Sequence, residues 1–114
     1  MSLPPSFLSL LNERGIPMMA AFGTADVALV ADDAVSAAQT LTGSRVAVLG
    51  GDVFYQTAKG FELAYANWHT EPTTGEDAGA YVARSILETC EYIRRYPVMA
   101  DKTALFALVV AEVN

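Results

Sequence analysis

The chain has 114 residues, 53% hydrophobic and 18% charged, with 13 acids against seven bases for a formal net charge of −6. Such a sequence is too apolar for a disordered tail, and the acid excess disfavours direct nucleic-acid binding, which requires clustered Lys and Arg. One cysteine, Cys90, excludes an internal disulfide and a multi-cysteine metal site.

The length fits a single domain over residues 1–114. A domain of this size buries about 65% of its unfolded surface, enough to fold without a metal or disulfide. The longest apolar run, Ala104 to Ala111, has eight residues, against the ~20 that a membrane-spanning helix needs. Met1–Leu11 lacks a basic segment followed by an apolar stretch, so no secretory signal is read and a cytoplasmic location is expected.

In chain order, a first helix is predicted over Ser6–Arg14, opened by Pro4 and Pro5 and closed by Gly15 in the left-handed position. Ile16–Thr24 reads as an extended connection because of Pro17 and Gly23. A strand over Ala25–Val30 leads to a helix capped by Asp32 or Asp33 and running to about Leu41. Arg45–Leu49 is a strand, and the strand–helix–strand order suits a right-handed parallel crossover. Gly50 and Gly51 interrupt the extended run, either as a two-residue hairpin turn or, the reading preferred because Thr57–Gly60 makes a better turn, as a bulge or close backbone approach, and Asp52–Tyr55 resumes it. A turn within Thr57–Gly60 returns the chain along Phe61–Trp68. Glu71–Gly75 is a polar loop.

The longest helix is predicted over Glu76–Tyr96, with Thr74 and Asp77 as a capping box. Ala78, Tyr81, Val82, Ser85, Ile86, Thr89, Ile93 and Tyr96 form its expected buried stripe. Arg84–Glu88 and Glu91–Arg95 are opposite charges four apart on its solvated side. Leu105–Val113 closes the chain as an apolar central strand. The fold class is α+β: a single mixed sheet of about four strands with three helices packed on it.

Catalytic signals are sparse. No phosphate-binding glycine loop, nucleophile elbow or metal-binding His–Glu spacing is present, and the sequence names no metal or cofactor. The lone histidine, His69, lacks an identifiable orienting partner. Cys90 falls in mid-helix, away from the helix start that would activate a thiol. The hairpin carries more information. A tip at Ala58–Lys59 sets Asp52 opposite Tyr65 and Gly50 opposite Asn67, so that Asp52, Tyr65 and Asn67 share one face. That cluster reads either as a recognition patch or as a hydrogen-bond network holding the strand ends. Trp68 is expected at the core or its edge. Glu62, Glu71, Glu76 and Asp77 are expected around the loop end and hairpin, as a solvated rim or as a negative patch for a basic partner.

The segments Val46-Ala-Val-Leu-Gly-Gly-Asp-Val-Phe-Tyr55, Tyr65-Ala-Asn-Trp68, Tyr81-Val-Ala-Arg-Ser85 and Glu91-Tyr-Ile-Arg-Arg-Tyr96 together resemble the immunity protein 40 family of bacterial polymorphic-toxin systems. The resemblance runs over roughly Ala25–Tyr96. Ala66 stands where the family has Asp before Asn-Trp, Phe54 where it has Tyr, and Val27-Ala-Leu29 where it has Trp-Ala-Leu. The matching positions are Gly50, Gly51, Asp52, Asn67, Trp68, Arg84 and Ser85. The resemblance implies a non-enzymatic protein that binds and neutralises a cognate toxin domain, with a basic toxin as the charge-complementary case. Two alternatives stand beside it: a small ligand-binding domain or enzyme around Asp52, Asn67 and His69, and an oligomeric scaffold whose final strand pairs across a symmetry axis.

Overall fold

The computed structural model describes residues 2–114. In chain order these form α1 (Pro5–Arg14), β1 (Ile16–Pro17), α2 (Met19–Phe22), β2 (Val27–Val30), α3 (Ala31–Gln39), β3 (Val46–Thr57), β4 (Gly60–His69), α4 (Ala78–Arg95) and β5 (Lys102–Glu112). The architecture is α+β, with one five-stranded sheet in the order β1-β2-β5-β3-β4.

Every strand pairing is antiparallel, which corrects the expected mixed sheet. Both β2 and β3 run antiparallel to β5, so the two point the same way. The β2–α3–β3 unit is therefore a parallel crossover in direction, but β5 is inserted between its strands. The connection Ile16–Thr24, read as extended, contains β1 and the short α2.

Helix ends depart locally from expectation. Gly15 has φ −69° and is not left-handed. A Cβ there would lie 2.3 Å from both the Leu11 carbonyl oxygen and Val27, so close packing of α1 on β2 explains the glycine. α3 starts at Ala31, with Val30 in the capping position and no side-chain cap from Asp32 or Asp33. Those two acids instead occupy the first helical turn, where the helix dipole favours negative charge. α4 starts two residues later than expected: Asp77, rather than Thr74, is its cap and accepts the Ala80 N–H at 2.8 Å.

The glycine pair does not end the strand. β3 is continuous over 12 residues, with an irregularity against β5 between Val48 and Gly50. Apolar side chains alternate across the sheet and define two layers. One face carries Val46, Val48, Val53, Trp68 and Phe106, packed under α1, α3 and α4 with Phe7, Val35, Tyr81, Val82, Ile86 and Ile93. The opposite face carries Ala28, Phe54, Leu105 and Ala107, with Met18 and Phe22 beside them. The α2 segment is the helical cover on that side, and Phe22 stacks on Phe54 with ring centroids 5.3 Å apart. Most of this second face has no layer over it.

Candidate functional site

Two groups of residues meet along β3 and β4, one on each face of the sheet. Beneath α4 the chemistry is that of a lock. The Ser85 hydroxyl, fully buried, accepts the Val48 N–H at 3.0 Å and donates to the Val82 carbonyl at 2.8 Å. It thereby satisfies a strand amide released at the irregularity. Thr70, just past β4, donates its hydroxyl to the Val48 carbonyl, and the Tyr81 hydroxyl donates to the Thr70 carbonyl. Trp68 is buried, stacks on Tyr92 at 4.7 Å and donates its indole N–H to Thr89 at 3.1 Å. A Cβ on Gly51 would lie 2.3 Å from the Trp68 ring, and one on Gly50, at φ 151°, 2.1 Å from the Trp68 carbonyl oxygen. The two glycines admit the tryptophan; that is the close approach expected of them.

Arg84 ties the polar loop to α4. Its guanidinium donates to both Glu76 carboxylate oxygens at 2.8 Å, to Glu88 at 3.0 Å and to the Glu71 carbonyl. These bonds to Arg84, with a backbone hydrogen bond from Thr73, hold the Glu76 carboxyl down at about 2 and raise the Arg84 guanidinium. Glu91 and Arg95 do not close to ion-pair distance, whereas Arg84–Glu88 does.

The acids expected as one rim are thus dispersed. Glu76 is engaged by Arg84 at one end of the sheet, and Glu62 pairs with Lys102 at 3.4 Å at the other. Glu71 and Asp77 are exposed near the start of α4.

On the uncovered face the hairpin register changes the predicted cluster. The tip lies at Ala58–Lys59, and the expected pairing holds from Thr57↔Gly60 to Phe54↔Leu63. It then shifts by two residues, so Asp52 faces Asn67 and Gly50 faces His69. Asp52 does not face Tyr65. The cause is a bulge in which Ala64 and Tyr65 have no partner on β3. A shift of two preserves the face, so Asp52, Asn67 and His69 still point the same way.

Tyr65 holds φ at 55°, the one non-glycine residue with positive φ among the described residues, and is 90% exposed. A bulky side chain in that backbone region is strained. Sequence alternation gave no sign of the bulge: Ala64 and Ala66 both pack on the helix side, and the pattern stays in phase.

Asp52 is half-buried between Asn67 on β4 and Ala107 on β5. Among the described residues its carboxylate takes part in no side-chain hydrogen bond and no ion pair, and neither does the Asn67 amide. The hydrogen-bond network therefore sits under α4, and the Asp52 side of the hairpin faces outward. Around it are Leu63 and Val109, 43% and 42% exposed, with Val30 further along the same face.

No cluster of potential metal ligands occurs among the described residues. Cys90 is buried against the Val35 carbonyl, and burial raises its thiol, offset in part by Arg94. A groove of about 770 Å³ lies on the helix side between α3 and the end of α4, lined by Val35, Ile93, Tyr96, Met99 and Phe106. It contains none of Asp52, Asn67 and His69.

The antiparallel sheet thus carries α1, α3 and α4 on one face and, on the other, partly exposed Leu63 and Val109 beside Asp52 and Asn67. The chain belongs to the Immunity protein 40 family, whose model matches residues 18–110. No curated protein and no solved structure matches it. The match takes in the α4 lock and the whole β3–β4 hairpin. No helix among the described residues is long and apolar enough to cross a membrane.

Proposed function

We propose that this immunity protein neutralises a cognate polymorphic-toxin domain in the cytoplasm by occupying it with the face of the sheet opposite α1, α3 and α4, without making or breaking a covalent bond. The observation that carries the reading is the asymmetry of the sheet. Three helices bury one face, while the other leaves Val30, Leu63 and Val109 between 37% and 43% exposed beside Tyr65 at the bulge, 90% exposed; Leu8, Leu87 and Val98 are exposed singly on or after the helices. Exposed apolar side chains gathered on one face are characteristic of protein–protein contact, and tyrosine is a favoured anchor there. The net charge of −6 adds long-range attraction for a basic toxin and would speed encounter at low salt.

The direct test is growth rescue. The chain is co-expressed with the toxin domain encoded beside its gene, and survival is compared with a strain carrying the toxin alone. Rescue accompanied by a co-purifying complex whose association slows with added salt is the expected result. Failure to rescue from every toxic neighbouring domain, with no complex formed, overturns the reading.

A further inference from the structure

We propose that Asp52 is the receptor for a cationic side chain of the partner, a lysine or arginine that the toxin presents from within an apolar surface. This rests on the immunity reading above and adds the chemistry of the contact.

Asp52 stands on a central part of the open face, not on its rim. Its cross-strand neighbours are Asn67 and Ala107, and the next residues along β3 on the same face are Gly50 and Phe54. Phe54 is buried beneath Phe22, so the carboxylate borders an apolar floor. None of these neighbours is Lys or Arg, and no cation lies within ion-pair distance.

The Asp52 carboxylate is half-buried and takes no hydrogen bond from the side chains around it. A partner that covered the face without supplying a donor would bury an unpaired charge, at a prohibitive cost. An apolar partner is therefore rejected, and one carrying a guanidinium or ammonium opposite Asp52 is selected.

The flanking groups fit that occupant. The Asn67 amide oxygen lies across the strand pair, able to accept a second hydrogen bond from the same cation. Tyr65, two residues along β4, is presented to solvent by the bulge and offers a ring face to the cation or an apolar contact beside it. Of the acids expected to form the rim, Glu76 and Glu62 already have cationic partners, and Glu71 and Asp77 lie exposed near the start of α4, away from this face.

The experiment measures the dissociation constant between the full chain and the cognate toxin domain, inactivated for handling, over a range of salt. It compares the wild type, Asp52→Asn, Asn67→Ala and a helix-side control, Glu91→Gln. Asp52→Asn keeps the shape of a side chain that makes no intramolecular bond, so its melting temperature is expected to match the wild type. The expected result is a loss of about 30-fold or more for Asp52→Asn, a smaller loss for Asn67→Ala, a shallower salt dependence for Asp52→Asn, and no change for Glu91→Gln.

Binding by Asp52→Asn within about threefold of the wild type overturns the assignment of Asp52 and leaves the immunity reading standing. A wild type that binds no neighbouring toxin removes both. Light scattering on the same samples reports a second copy of the chain: a dimer that Asp52→Asn disrupts, in protein that binds no toxin, assigns the face to self-association and overturns the proposal.

Discussion

Ser85 shows how much can hang on one hydroxyl. It is fully buried, and both of its hydrogen bonds go to backbone groups, one across to β3 and one within α4. Replacing it with alanine leaves the Val48 N–H buried without an acceptor, which costs about 1–3 kcal/mol. Urea unfolding of Ser85→Ala should show that loss as a lower midpoint with an unchanged slope; an unchanged midpoint would mean that another acceptor reaches the amide. Trp68 depends on absent atoms in the same way, since only glycine at position 51 leaves room for its ring. Gly50, Gly51, Trp68, Arg84 and Ser85 all act within the fold, whereas Asp52 and Asn67 share the same sequence motifs but face away from it.

At the scale of elements, the β4 bulge and the Arg84 clasp each carry a prediction. Tyr65 at φ 55° stores strain that glycine would not feel. Tyr65→Gly should therefore melt at or above the wild-type temperature, a gain of up to about 1 kcal/mol, while weakening toxin binding. A clear drop in melting temperature would show that the phenol supports the fold. At the other end of the sheet, Glu76 titrates at about 2 against an ordinary value of 4.5. A depressed carboxyl stabilises the folded state above its unfolded value and loses that contribution as pH falls from 4.5 towards 2. Unfolding followed over that window should be less steeply pH-dependent in Glu76→Gln than in the wild type; parallel curves would remove Glu76 from the acid response. The elements themselves were largely legible. The stripe of α4, the hairpin tip and the apolar final strand follow from periodicity and turn chemistry. Two features were not. The bulge adds two residues, which keeps the alternation in phase and leaves no trace in the sequence. α2 is a four-residue helix between Met18 and Gly23, too short to display a period, so the side of the sheet it shields could not be read in advance. Asp52, Asn67 and Tyr65 were visible as a hairpin cluster, but their separation from the Trp68 lock required the register.

The molecule as a whole is organised around β5, which pairs with β3 along its full length and with β2 on its other side. Of the described elements, this central strand comes last in sequence. A chain ending at Asp101 would leave β2 and β3 about 10 Å apart, two strand spacings, with no hydrogen bonds between them. Such a truncation should lose its cooperative thermal transition by circular dichroism, whereas a sigmoidal melt would show that the helices hold the sheet halves together. During synthesis the same geometry sets an order of events. The β3–β4 hairpin is available early, but the sheet cannot close until the ribosome has translated beyond Lys102 and β5 has slotted in. A half-made copy thus carries a hairpin but no closed sheet, and the face proposed to meet the toxin exists only in copies whose translation has passed that strand.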